Sequence, residues 1–302
     1  MRNVSRGLLS GFFSVALIGA GLVAPAAWGQ GMIQVKGSDS EVNLVQKLAE
    51  AFMKKNPDVN ISVTGGGSGT GIAALINKKT EIANSSRALE PKEEEAAKAA
   101  GVNPFRVIFA TDAVSMIVHP SNPLTKLTVE QLGKIFKGEI SNWKEVGGKD
   151  GKISLYGRQS NSGTFGFIRE HVLKGDYSPH MKAMNGNAQI VEGIKRDVDG
   201  IGYVAVGYVV NDKGEVMQGV KILNVAKDAG SEAFSPTILD NVMTSKYPVT
   251  RPLNQYTDGK PAGKLLDFMQ FQIGTEGQQI VRKDGFFPVQ KTWVDFNKKQ
   301  GL

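Results

Sequence analysis

The stretch Gly157-Arg158-Gln159-Ser160-Asn161-Ser162-Gly163-Thr164 decides how this chain is read. Before it, Ile153, Leu155 and Tyr156 form a short apolar run that reads as a strand. After it, Phe165, Phe167, Ile168 and Val172 fall on one face of a helix. A strand that turns through Ser, Gly and Thr into a helix leaves backbone N–H groups free at the helix N-terminus. Those groups and the helix dipole favour an anion. Arg158 can add a fork of donors, and the hydroxyls can add more. Taken alone, the segment is served equally well by simple capping through Ser162, with Arg158 as a solvated surface charge.

The same turn recurs upstream. Met32-Ile33-Gln34-Val35 alternates as a strand, and Gly37-Ser38-Asp39-Ser40-Glu41 leads to Leu44, Val45, Leu48 and Phe52 at helical spacing, stopped by Asn56-Pro57. Ser38 and Glu41 match a capping box, which leaves Asp39 unexplained. Val59 to Val63 is a second strand, Gly65 to Gly71 a glycine-rich loop, and Ile72, Leu75 and Ile76 begin a helix. Ile72-Ala73 stands where a P-loop needs Lys and Ser/Thr, which argues against nucleotide hydrolysis. Gly69-Thr70-Gly71-Ile72-Ala73-Ala74 fits G-x-G-x-x-A only loosely, and after the second strand rather than the first. The shared physics survives: glycines let backbone N–H groups approach an anion closely. Glu81 to Ala83 is a third strand, before Asn84-Ser85-Ser86-Arg87 and an acidic helix over 90–100.

Further along, Val107 to Phe109 and Val114 to Val118 are expected as separate strands, and His119-Pro120-Ser121-Asn122-Pro123 as a crossover. Leu127, Val129, Leu132, Ile135 and Phe136 predict a helix ending at Gly138. Strands are expected at 200–204, 220–223 and, as a return strand, 248–253. Amphipathic segments close the chain at 265–273 and 278–281. His119, His171 and His180 lack metal-binding spacing, and no G-x-S-x-G marks a nucleophile. Neither a metal nor a cofactor is expected.

Arg2 and Arg6 precede an apolar run from Leu8 to Val23 and the small residues around Ala26 and Gly29, the order of a secretory signal peptide over residues 1–29. Its removal lowers the formal charge from +7 to +5. Bases and acids are interspersed, so no nucleic-acid patch is read. The absence of cysteine excludes disulfides, thiol nucleophiles and a lipid-modified N-terminal Cys. A soluble periplasmic protein is expected.

Polar loops at successive strand-to-helix turns, in an exported cysteine-free chain, resemble the periplasmic phosphate-binding proteins of phosphate ABC importers. The resemblance runs from about Ile33 to Val289. It is carried by Gly37 to Ser40, Gly65 to Gly71, Asn84 to Arg87, Arg158 with Ser162 to Thr164, Gly200 to Val204, and Leu127 through Gly138 with Asn142-Trp143 and Val146 to Gly148. It implies a two-lobed α/β clamshell of type II, each lobe a mixed sheet flanked by helices. Lobe one would be residues 30–118 plus 250–302 and lobe two residues 119–249, with hinges near Val118 to Pro120 and Tyr247 to Arg251. It implies a monomer that captures inorganic phosphate and delivers it to an inner-membrane ABC permease. Sulfate, molybdate or tungstate are the alternative ligands, and a secreted phosphatase the alternative activity. The ligand residues it implies are Ser38, Asp39, Ser40, Ser68, Ser86, Arg158, Ser162, Gly163 and Thr164. Where some relatives have a proton-accepting aspartate this chain has Ser86, and Ser160 replaces another aspartate. Asp39, the one carboxylate inside these loops, is therefore expected to accept the ligand's proton.

Overall fold

The computed structural model describes residues 32–211 and 213–302; the expected signal peptide lies outside them. The chain opens with a repeated strand–helix unit: β1 (Met32–Gly37), α1 (Val42–Lys55), β2 (Asn60–Thr64), α2 (Ser68–Ile76), β3 (Ile82–Ser85) and α3 (Pro91–Ala99). β1 lies between β2 and β3, parallel to both. Ile33 and Val35 of β1 are buried, as are Leu44, Val45, Leu48 and Phe52 of α1, so the two periodicities in the sequence face one core.

β4 (Pro104–Val118) is a single strand of 15 residues rather than the two expected. The polar pair Thr111-Asp112, which suggests a break, sits inside a strand whose neighbours satisfy it. Next come β5 (Lys126–Thr128), α4 (Val129–Lys137) and β6 (Ser154–Arg158). α5 (Gly163–Ile168) follows and runs into a π-helical turn over Arg169–Leu173. β7 (Lys182–Met184), α6 (Asn187–Arg196), β8 (Gly200–Ala205), β9 (Lys221–Ala226), β10 (Ala233–Phe234) and α7 (Leu239–Met243) complete the middle of the chain. The return strand, β11 (Thr250–Asp258), starts two residues later and runs five residues further than expected. α8 (Gly263–Ile273), α9 (Thr275–Lys283) and α10 (Lys291–Lys299) follow. β7, α6, β10, α7 and α10 carry no expectation from the sequence. α4 begins as its sequence dictates: Thr128 Oγ1 accepts from Gln131 N, Gln131 Oε1 accepts from Thr128 N, and Gly138 closes the helix in the left-handed region.

The strands run in the order β2-β1-β3-β11-β4-β8-β6-β7, with β9 also on β4 and carrying β5 and β10. β4 joins two half-sheets. Its residues 104–113 pair antiparallel with β11, whereas residues 114–118 pair with β8 and 116–118 with β9. β6 lies parallel to both β7 and β8. The result is the expected mixed α/β sheet flanked by helices. The loops leaving β1, β2 and β3 meet those leaving β6 and β7, and ligands of open α/β sheets bind outside such carboxyl ends.

Candidate functional site

Eight of the nine residues expected at the site are buried: Ser38, Ser40, Ser68, Ser86, Arg158, Ser162, Gly163 and Thr164. Asp39 keeps partial exposure. Hydrogen bonds and close contacts tie most of them into one set. Ser38 Oγ donates to Ser86 Oγ (3.0 Å), Ser86 N donates to Ser68 Oγ (3.1 Å), and the Ser68 and Ser86 hydroxyls are 3.4 Å apart. Across from them stands Gly163 at the start of α5. A Cβ there would lie 2.3 Å from Ser68 Oγ and 2.7 Å from Ser86 Oγ, so only glycine permits this approach. Ser162 caps α5, its Oγ accepting from Phe165 N at 3.4 Å.

The glycine-rich loop is held by the loop before α5. Asn161 Nδ2 donates to Gly66 O (2.9 Å) and Thr70 Oγ1 (3.2 Å), and Gly69 N donates to Asn161 O (3.0 Å). Gly67 has φ +104°, and a Cβ there would meet Asn161 O at 2.8 Å. Both its backbone shape and its space exclude other residues.

Thr164 is oriented by a residue the sequence did not single out as a site residue. Arg251 on β11 is buried and lies opposite Asp112 in the strand register. Its Nε (2.9 Å) and Nη2 (2.7 Å) donate to Asp112 Oδ2, and Nη1 donates to Ser86 O (3.1 Å). Nη2 also reaches Thr164 Oγ1 (3.0 Å) and Ser40 Oγ (3.4 Å). Asn187 Nδ2 lies 3.4 Å from Ser40 Oγ, and the Ser40 and Thr164 hydroxyls are 2.9 Å apart, a pair in which either can donate. Arg251 thus fixes the position of the Thr164 hydroxyl.

Arg158, at the end of β6, is 2 % exposed. Its N–H donates to the Tyr203 hydroxyl (3.0 Å) and Nη2 to Asn185 O (2.9 Å). Nε and Nη1 have no hydrogen-bond partner among the described residues. Nη1 lies 3.2 Å from Asp39 Oδ2, close enough for an ion pair yet misaligned for a hydrogen bond. Burial lowers the Arg158 pKa and the Asp39 charge opposes that; a guanidinium stays protonated regardless. Asp39 Oδ2 also accepts from Asn187 N (2.8 Å) and Asn187 Nδ2 (2.7 Å), and Tyr208 donates its hydroxyl to Asp39 O (2.6 Å). Asn187, Tyr208 and Arg251 went unread as site residues in the sequence. Only Arg251 left a signal: it is the one charge in the strand expected over 248–253, and a lone charge there implies a buried partner.

One further sequence expectation fails. Ser38 and Glu41 form no capping box: Glu41 itself is the residue before α1, and its side chain is buried without making a capping bond. Arg87 grips Glu93 with both terminal nitrogens (2.7 and 2.8 Å) and stands 3.4 Å from Glu90, so it is an ion-pair residue and not an anion donor. Among the described residues no group of His, Asp and Glu could hold a metal.

Two half-sheets joined through one long strand, with hydroxyls, helix starts and a buried arginine gathered where their loops meet, define a solute-binding protein for an oxyanion. Residues 24–276 match the model of the PBP superfamily domain. The chain is 32 % identical to the phosphate-binding protein PstS of Pseudomonas aeruginosa, over 86 % of this chain and 83 % of that one. It is 33 % identical to PstS of Bacillus subtilis, over 89 % and 85 % respectively. A phosphate-bound crystal structure of a phosphate ABC transporter substrate-binding protein from Clostridium perfringens superposes with a TM-score of 0.75. It shares 29 % identity and covers 86 % of this chain and all of that one. The chain belongs to the PBP superfamily, among its phosphate-binding PstS relatives.

Proposed function

We propose that this protein binds inorganic phosphate reversibly in the periplasm and delivers it to an inner-membrane ABC permease. The observation that carries this reading is Arg158: a buried guanidinium with Nε and Nη1 unpartnered, in a site that also gathers buried hydroxyl groups. Isolated buried donors are costly, and a tetrahedral dianion satisfies a guanidinium fork together with several hydroxyls. Ser38, Ser68, Ser86 and Thr164 are its hydroxyl ligands in this proposal. Gly163 and Thr164 add backbone N–H groups, and Asp39 and Ser40 hold the surrounding donors. The names of the PstS relatives and the phosphate in the Clostridium perfringens structure support the same ligand.

Residues 30–118 plus 250–302 and residues 119–249 serve as two lobes in this proposal, closing on the anion. Closure is set by the ligand's greater affinity for the closed form. The protein acts as a monomer without covalent chemistry. Among the described residues no helix is long and apolar enough to cross a membrane. Calorimetric titration with phosphate, arsenate, sulfate and molybdate tests the ligand: phosphate is expected to bind far more tightly than sulfate. Equal or tighter binding of sulfate or molybdate overturns the choice, and turnover of a phosphomonoester would make the protein an enzyme.

A further inference from the structure

Asn161 stands in the tight turn between β6 and α5, where Ser162 N donates back to Gln159 O (3.0 Å). Arg158 lies three residues before it and Gly163 two after, so one short segment carries Asn161, the guanidinium and the start of α5. Its partners flank Ser68 on the other half-sheet. Nδ2 donates to Gly66 O (2.9 Å) and Thr70 Oγ1 (3.2 Å), and the Asn161 carbonyl accepts from Gly69 N (3.0 Å). Gly66 O can only accept, which fixes the orientation of the amide. Thr70 Oγ1 donates to Gly66 O (3.0 Å), which leaves its lone pairs for Asn161.

Counting donors separates Asn161 from the anion's ligands. Its amide has two N–H bonds, and both are spent on the glycine-rich loop. The remaining side-chain atom, Oδ1, is an acceptor and offers an anion nothing. Asn161, Gly66 and Thr70 are exposed, whereas Ser68 and Gly163, two residues away along the chain, are buried. The clasp thus lies at the rim of the site. Water can serve each of its groups when the two loops part, so it opens at modest cost.

We propose that Asn161 is a positioning residue that latches the two donor segments together around the bound anion and slows its release, without touching the anion. The inference rests on the phosphate reading above and on the two lobes it invokes. Bonds that exist only when the lobes meet favour the closed form, and an anion held there leaves only after they break. They add nothing to the first encounter, so they act on release rather than on capture.

The test uses the mature protein and its Asn161→Ala, Thr70→Val and Asn161→Ala/Thr70→Val variants. Radiolabelled phosphate chased by unlabelled phosphate, with rapid filtration, gives the release rate; calorimetry gives Kd, and their ratio gives the association rate. Urea unfolding without phosphate reads the stability of each variant. Asn161→Ala keeps the main-chain carbonyl and loses both amide bonds. Release is expected to quicken about tenfold, the size of two neutral, exposed hydrogen bonds, with association within about twofold of wild type. Thr70→Val loses one acceptor and should quicken release about threefold. The double variant should release no faster than Asn161→Ala, because Thr70 reaches the opposite loop only through that amide. Stability without phosphate should stay at the wild-type level in Asn161→Ala, since the latch forms on closure. Unchanged release, a loss carried by slower association, additive effects, or a destabilised phosphate-free protein overturns the latch while leaving phosphate binding intact. A wild-type protein that does not bind phosphate overturns both.

Discussion

Arg158 and Arg251 are both buried, yet their surroundings differ in kind. Arg251 has each nitrogen on an acceptor supplied by the protein: a carboxylate, a carbonyl and two hydroxyls. Arg158 has one backbone carbonyl for one nitrogen and a misaligned carboxylate beside another. A buried charge is costly unless it is paired and hydrogen-bonded. Arg251 meets that condition within the chain, and Arg158 meets it only with something added. Counting donors against acceptors therefore separates an arginine satisfied within the fold from one left with donors to spare. Burial alone does not.

Breaking the Arg251 pair should have the largest effect. Asp112→Ala strands a buried guanidinium and is expected to cost about 3–5 kcal/mol of stability, measured by urea unfolding. Asp112→Asn, which can still accept one bond, should lie between the two. Arg158→Ala is expected to leave stability within about 1 kcal/mol, because it removes donors that lack partners. It should weaken phosphate binding by about 2–5 kcal/mol, roughly 30- to several-thousand-fold. If Arg158→Ala unfolds as easily as Asp112→Ala and still binds phosphate, the contrast between the two arginines is wrong.

The sequence shows one of these arginines and hides the other. Arg158 is legible because it stands in a local pattern of strand, polar turn and helix, and Ser162, Gly163 and Thr164 belong to that same pattern. The alternation of β1 and the apolar stripe of α1 are legible for the same reason: neighbours in sequence report on neighbours in space. Arg251 and Asp112 lie 139 residues apart and meet only through strand register. Thr111-Asp112 even argues locally for a break in β4, because nothing nearby reveals the partner that lets an aspartate sit inside a strand. Asn187 is hidden likewise, since α6 follows a three-residue strand too short to show a period. Glu41 is misread for a related reason: its spacing from Ser38 suits a cap, but burial beside Arg251 takes its side chain elsewhere.

Asp39 sharpens the contrast by asking what its single carboxylate does for Arg158. Expected from the sequence as the ligand's proton acceptor, it spends Oδ2 on both Asn187 donors and the Arg158 ion pair. In that arrangement it orients Arg158 and joins the β1–α1 loop to α6. Asp39→Ala should then weaken phosphate and sulfate alike, by about tenfold each. The affinity ratio at fixed pH and ionic strength would stay constant. A ratio that falls selectively through loss of phosphate would return Asp39 to the acceptor role, acting through Oδ1.

Arg87 supplies the smallest effect and a third point on the same scale. It stands beside the site in sequence, one residue after Ser86, and it is mostly buried. Proximity alone would nominate it as a ligand. Its donors, however, are taken: Glu93 accepts from both terminal nitrogens, Nη1 also reaches Ala88 O, and Glu90 lies 3.4 Å away. Burial lowers its pKa, but the hydrogen bond and charge of Glu93 outweigh that and leave it raised. By the donor count Arg87 belongs with Arg251. Its environment is wetter, so the loss should fall between an exposed pair and a fully buried one, about 1–2 kcal/mol for Arg87→Ala. Phosphate affinity should remain within about threefold of wild type. The pair of measurements, unfolding and phosphate titration on one variant, decides the matter. Lost affinity with unchanged stability would mean that the donor count does not distinguish binding arginines from structural ones.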